Sequence, residues 1–200
     1  MKRLILGVTG ASGSILAKRA IEYLSGEAVE LHLIATDYGQ RVFAYETGVE
    51  WDAFLHSLSG GARVSAHDAG DMFACVASGS YPIDTMVVMP CSMSTAGKIA
   101  SGAGDNLLCR AADVCIKEQR RLVLVVREAP LSGIHLANLY KLARCGTRIF
   151  PPVPAFYNKP QTWDEAIDAI VGRVLRCADV ENGLYKPWIG GEGVLPPNAD

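Results

Sequence analysis

The run Leu4-Ile5-Leu6-Gly7-Val8 leads straight into Thr9-Gly10-Ala11-Ser12-Gly13, after which Ile15, Ala20, Ile21 and Leu24 recur at helical spacing. A β-rich run, a turn of small residues and an apolar period near 3.6 together read as strand, turn and helix. Such a unit buries its strand only when helices cover the sheet, which directs the chain toward folds in which strands and helices alternate. The turn also has its own chemistry. Small residues let backbone N–H groups approach a phosphate at a helix N-terminus, and Ser12 adds a hydroxyl. Gly10-Ala11-Ser12-Gly13 is therefore expected to receive the phosphate end of a nucleotide; a plain tight turn is the alternative.

The alternation continues along the chain. Val29 to Ala35 reads as a strand and Gln40 to Thr47 as a helix. Ser57 to Ser80, rich in Gly, Ser and Ala, reads mostly as loop, with Ala62 to Ala66 as a candidate strand. Thr85 to Met89 is the best buried-strand candidate, ended by Pro90 and followed by a helix over Thr95 to Ala100. Helices over Asn106 to Glu118, His135 to Ala143 and Thr162 to Cys177 alternate with strands over Leu122 to Val126 and Thr147 to Phe150. This order predicts an α/β fold: one doubly wound, Rossmann-like (flavodoxin-like) parallel sheet with helices on both faces. A chain of 200 residues that is 50% hydrophobic supports one core. Residues 1–180 are assigned to that domain. Residues 181–200, with Tyr185, Lys186, Pro187 and Trp188, are expected to be an arm, partly ordered or packed on a neighbouring subunit.

A formal charge of -2 gives no electrostatic case for nucleic acid or an anionic membrane surface, so local cations must hold any anionic ligand. No stretch approaches the roughly 20 apolar residues that span a bilayer. Six cysteines without a C-x-x-C pair suit a reducing cytoplasm. His32 reads as an ordinary strand position, and His56, His67 and His135 lack metal-ligand spacing, so no metal is expected.

In doubly wound sheets ligands bind beyond the carboxyl ends of the strands. Three further turns fall there. Pro90-Cys91-Ser92-Met93-Ser94-Thr95 carries three hydroxyls in four residues, which suit helix capping and ligand binding equally. Cys91 has no obvious His partner and reads as a packed thiol. Arg127-Glu128 places a cation for phosphate beside a carboxylate for proton transfer, or forms a solvated ion pair. Pro151 to Tyr157 is stiff and extended, and either holds Tyr157 in one place for a ligand or is a linker with an incidental tyrosine. Glycines at 7, 10 and 13 do not make the G-x-G-x-x-G of dinucleotide binding, and Thr36 stands at the second strand's tip ahead of Asp37, which weakens a nicotinamide reading.

Taken together, TGASG at 9–13, ASGS at 77–80, PCSM at 90–93, RAADV at 110–114, KEQRR at 117–121, REAPL at 127–131, IHL at 134–136 and PPVPAFYNKPQT at 151–162 resemble the UbiX-type flavin prenyltransferases. The resemblance implies transfer of a dimethylallyl group from dimethylallyl phosphate to N5 and C6 of reduced FMN, without a metal, giving prenylated FMN for a UbiD-type decarboxylase. It assigns FMN to Gly10, Ala11, Ser12, Thr36, Ser92, Met93, Ser94, Thr95 and Arg127. It assigns the prenyl donor to Ser78, Arg110, Lys117, Glu128, Tyr157 and Arg173. Glu128, Glu46, Ser12, Lys117 and Trp188 are the implied catalytic groups, in a homo-oligomer that is commonly dodecameric in the family. Two departures stand out: Met72-Phe73 where some relatives place a tryptophan, and Ser94 where a lysine is common.

Two other readings stay open. One is an FMN enzyme similar to the peptidyl-cysteine decarboxylases, although those carry a PASANT-like turn where this chain has PCSMST. The other is a non-catalytic FMN-binding subunit of a decarboxylase.

Overall fold

The computed structural model describes residues 1–58, 62–188 and 190. Strands β1 (Lys2–Val8), β2 (Val29–Ala35), β3 (Arg63–Asp68), β4 (Thr85–Cys91), β5 (Arg121–Val126) and β6 (Arg148–Phe150) form one sheet in the order β3-β2-β1-β4-β5-β6. Every pairing is parallel. The connecting helices are α1 (Ser14–Ser25), α2 (Asp37–Thr47), α3 (Trp51–Ser57), α4 (Met93–Ser101), α5 (Leu107–Lys117), α6 (Gly133–Arg144) and α7 (Trp163–Cys177). Strand order reverses between β1 and β4, which opens a crevice at their carboxyl ends.

Alternating residues of the central strands feed two cores. Leu4, Leu6, Leu31, Leu33, Val87 and Val123 pack against α1, α2, α3 and α7 through Ile21, Phe43, Phe54 and Val174. Ile5, Ile34, Met86, Val88 and Leu124 pack on the other face against α4, α5 and α6 through Ile99, Leu108 and Leu142. Each such side chain contributes about 1.5–3 kcal/mol relative to exposure. The carboxyl ends of β1 and β4 are thus held on both faces, and the crevice between them is rigidly placed.

Two local features depart from expectation, and one weak expectation holds. Pro90 does not end its strand: β4 runs on to Cys91, with its register against β5 shifting between Val88 and Cys91. That irregularity accommodates a residue with no N–H to give the ladder. The candidate strand at Ala62 to Ala66 is found as β3, two residues longer at its end and mostly exposed. Finally, α3 went unforeseen; two turns carry too few apolar positions to show a period. It is fixed by Trp51 and Phe54 stacking around Phe43, with ring centroids 5.1 and 5.0 Å from the Phe43 ring. Of the expected arm, residues 189 and 191–200 lie outside the described residues.

Candidate active site

A cavity of about 470 Å³ opens at the crevice, lined by Gly10, Thr36, Asp37, Tyr38, Ala69, Gly70, Ser92, Ser94, Thr95, Lys98 and Asn106. Three of these residues are helix N-caps. Thr36 Oγ1 accepts from the Gly39 amide at 3.0 Å, Ser92 Oγ from the Thr95 amide at 3.2 Å, and Asn106 Oδ1 from the Cys109 amide at 2.8 Å. The N-termini of α2, α4 and α5 therefore converge on one space. Capping leaves the Asp37, Tyr38, Met93 and Ser94 amides without a protein acceptor among the described residues. Free amides at converging positive helix ends suit a phosphate monoester. Gly10 permits the close approach this needs, since a Cβ there would meet Tyr38 Cβ at 2.7 Å.

The turn at residues 10–13 plays a different part from the one expected. The Gly13 and Ser14 amides, which open α1, donate to Glu46 Oε2 at 2.9 and 2.7 Å. The carboxylate of Glu46 thus fills the anion place at α1, and only Gly10 of this turn lines the cavity. Partial burial pushes the Glu46 carboxyl up, but the Ser12 hydroxyl and the Ser14 and Gly13 amides outweigh it and hold the group below its ordinary value. Glu46 is therefore ionised at neutral pH, with the Ser12 hydroxyl close enough to favour the charged form. Arg127 Nε donates to the Ser12 carbonyl at 3.2 Å, so the fourth turn meets the first.

Thr9 joins the turns across the crevice. It is buried, its hydroxyl donates to the Pro90 carbonyl at 2.8 Å, and the same oxygen accepts from the Ser92 amide at 2.8 Å. Ala11 and Met93, expected at the flavin, have side chains buried in the protein and are not among the cavity-lining residues. Cys91 is fully buried, and burial drives its thiol far above the ordinary range, which removes it as a nucleophile.

The remaining expected residues form separate groups. Ser78 Oγ lies 2.8 Å from Ser80 Oγ, and the Lys117 ammonium sits over Gly79 while pairing with Glu118. Arg110 joins this group, donating to the Ala77 carbonyl at 3.1 Å and to Asp113 at 3.0 Å. Elsewhere, Tyr157 and Trp188 pack edge to face with centroids 5.5 Å apart. Arg173 lines a second cavity of about 340 Å³ with Phe150, Pro151, Val153 and Ala155. Glu128 is exposed and accepts from the Ala129 amide at 3.1 Å. No hydrogen bond or ion pair among the described residues joins the Ser78, Arg110 and Lys117 group to Tyr157, Trp188 or Arg173. Large apolar side chains are exposed nearby and elsewhere, including Phe73, Tyr45, Ile134, Tyr140, Phe156 and Trp163.

Sequence reasoning missed Asp37, Tyr38, Lys98 and Asn106 at the cavity. Asn106, directly before a helical period, carried a readable capping signal. Lys98 lies one turn along α4 from Ser94 and brings the cation that Ser94 lacks, although it is paired with Asp105 at 2.6 Å. Among the described residues no helix is long and apolar enough to cross a membrane.

Comparison with known proteins agrees with this architecture. The Flavoprotein family model matches residues 1–175. The flavin prenyltransferase LpdB of Lactiplantibacillus plantarum is 44% identical over 191 residues, 95% of this chain and 100% of that protein. The flavin prenyltransferase UbiX of Methanothermobacter thermautotrophicus is 42% identical over 190 residues, covering 95% and 97%. Among solved structures, AnUbiX in complex with FMN and dimethylallyl pyrophosphate superposes with a TM-score of 0.89 at 41% identity, covering 96% of this chain and 99% of that one. A dodecameric FMN-dependent UbiX-like decarboxylase from Escherichia coli O157:H7 gives 0.87 at 39% identity, covering 94% and 100%. The FMN-dependent cysteine decarboxylase TvaF, at 18% identity and a TM-score of 0.61, shares the fold alone. With a single parallel doubly wound sheet, a cavity lined by three capped helix N-termini at its switch point and this degree of identity along nearly its whole length, the chain belongs to the UbiX-type flavin prenyltransferases within the Flavoprotein family.

Proposed function

We propose that this chain is a flavin prenyltransferase that joins the dimethylallyl group of dimethylallyl phosphate to N5 and C6 of reduced FMN, and that a UbiD-type decarboxylase uses the product. The observation that carries the reading is the convergence of three capped helix N-termini on the switch-point cavity, which fits the phosphate of FMN. FMN, when bound, supplies the nucleophilic ring atoms. Gly10, Thr36, Ser92, Ser94 and Thr95 hold its phosphate end, the backbone of Ala11, Ser12 and Met93 borders it, and Arg127 closes the side next to Ser12.

An allylic phosphate departs without metal help only when the charge developing on its oxygens is met by fixed donors. Arg110, Lys117 and Arg173 provide cations, and Ser78 and Tyr157 provide hydroxyls. Before they bind the donor, Arg110 and Lys117 are engaged with Asp113 and Glu118, partners that an incoming dianion displaces. Glu128 moves protons between the acceptor nitrogen and the departing phosphate. The Ser12 and Glu46 pair provides a second proton path, and Trp188 beside Tyr157 shelters the allyl cation with its π-face.

One chain leaves these groups apart, so the complete site is proposed to form in a homo-oligomer, a dodecamer as in the Escherichia coli relative. The exposed Phe73, Ile134, Tyr140 and Trp163 support such contacts. All six cysteines stand free, which suits a cytoplasmic enzyme.

Anaerobic assay of inorganic phosphate tests the reading. Release from dimethylallyl phosphate should require reduced FMN, and Glu128→Gln should bind FMN normally yet release phosphate at a small fraction of the rate. Release that is indifferent both to FMN reduction and to this substitution overturns it.

A further inference from the structure

The β2–β3 pairing brings together two histidines far apart in sequence. Parallel register sets His32 opposite Ser65, so His67, two residues on, shares its face of the sheet. Their rings lie end to end and nearly coplanar, with centroids 5.2 Å apart, an interplanar angle of 18° and His32 Nδ1 2.9 Å from His67 Nε2. The 3₁₀ turn Cys75–Ala77 adds a third group: one ligating atom from each of His32, His67 and Cys75 falls within 4.8 Å of the others. None of the three lines the flavin cavity.

The surroundings organise the pair. The Glu30 carboxylate stands 3.4 Å from His32 Nε2, and is itself held by the Tyr81 hydroxyl at 2.7 Å and Arg3 Nε at 2.9 Å. An ionised acceptor at Nε2 keeps the His32 proton there and turns the Nδ1 lone pair toward His67. A carboxylate behind an imidazole is the arrangement that orients metal-ligating histidines.

We infer that His32 Nδ1, His67 Nε2 and Cys75 Sγ form a binding site for a thiophilic divalent transition-metal ion, with Zn²⁺ the best match to two imidazoles and a thiolate. Tetrahedral Zn²⁺ with bonds near 2.0–2.1 Å holds two nitrogens about 3.3 Å apart, so on binding the nitrogens separate by about 0.4 Å and the rings turn from pointing at each other to pointing at the ion, a swing the partly buried His67 on its edge strand can make. His67 is only partly buried and Cys75 is exposed, which gives the ion an entry path and leaves a fourth position for water. The protons balance simply. As His67 changes tautomer, the proton on Nε2 is lost and one is gained on Nδ1, while the Cys75 thiol gives its proton to solvent. Zn²⁺ and thiolate then carry one net positive charge, beside the Asp71 carboxylate that faces His67. The ion would tie edge strand β3 to the turn leading into Ser78.

Metal-stripped full-length protein, carrying FMN, should be titrated with Co²⁺ under reducing, oxygen-free conditions. Intense ligand-field bands of four-coordinate Co²⁺, on the red side of the flavin absorption, should saturate at one equivalent per chain and vanish on adding Zn²⁺. Cys75→Ser and His67→Gln, both at accessible positions, should each weaken binding about tenfold or more, whereas Cys145→Ser, at another exposed cysteine, should bind as wild type does. The metal-free melting temperature and flavin spectrum of each variant check that it is folded. Absence of these bands at one equivalent, or wild-type binding by either folded variant of the site, overturns the assignment.

Discussion

Two glycines in helices beside the flavin cavity should respond differently to alanine. By helix propensity alone, Gly→Ala stabilises a helix interior by about 0.8–1 kcal/mol. At Gly97 in α4 an added Cβ meets only Asn138 Nδ2 at 3.3 Å, the end of a flexible side chain, so Gly97→Ala should keep most of that gain. At Gly39 in α2 the same atom would lie 2.5 Å from the Val8 carbonyl oxygen, 2.9 Å from its carbon and 3.1 Å from Thr36 Oγ1. Backbone at the end of β1 cannot yield, so α2 must shift, and overpacking of this kind costs about 1–3 kcal/mol. The cost cancels or exceeds the propensity gain, giving a net loss of up to about 2 kcal/mol. For a chain of this size each kcal/mol moves the melting temperature by about 2–4 °C. Thermal unfolding of apoprotein at fixed protomer concentration reads both variants, the fixed concentration removing the effect of subunit association. Gly39→Ala should also weaken FMN binding, because the shift carries Thr36 and the free amides of Asp37 and Tyr38 with it. Stabilisation by Gly39→Ala equal to that by Gly97→Ala would refute the claim that α2 is seated against β1 at this point.

The carboxylate at α1 makes a pH prediction. Glu46 is held below its ordinary value, so its contribution to stability is full above the unfolded-state carboxyl value and is lost as pH falls through the folded one. Glu46→Gln should therefore unfold more readily than wild type at pH 7, and the gap should close in acid; denaturation at the two pH values that shows a constant gap contradicts the assignment. Cys91→Ala, which empties a small buried volume, should cost about 1 kcal/mol and leave prenyl transfer intact, as steady-state assay can establish; loss of turnover in a folded variant would restore Cys91 as a reacting group.

Central strands were legible in the sequence because burial on both faces leaves continuous apolar runs such as Met86 to Met89 and Leu122 to Val126. Helix starts at Asn106 and Thr162 were legible because a capping side chain precedes a period. The edge strand β3, which hides no face, showed only as a candidate at Ala62 to Ala66, and the short α3 did not show at all, being held by an aromatic cluster assembled from two helices. The phosphate cradle was half visible. Thr36, Ser92, Ser94 and Thr95 follow strand ends and could be read locally, whereas Lys98, Asn106 and Tyr38 reach the same cavity only because β4 lies beside β1. Gly10-Ala11-Ser12-Gly13 looked like a vacant anion cradle because the residue that fills it, Glu46, comes from another helix. His32 and His67 escaped notice for the same reason, since pairing of β2 with β3 rather than spacing along the chain makes them neighbours.

The central claim is most directly tested by mass spectrometry of the flavin after a single anaerobic turnover. Protein, reduced FMN and dimethylallyl phosphate should yield a flavin heavier by one five-carbon unit, formed in proportion to the protein and absent when FMN is oxidised or Glu128 is replaced by Gln. Recovery of unmodified FMN from a protein shown to bind both FMN and the donor would contradict it.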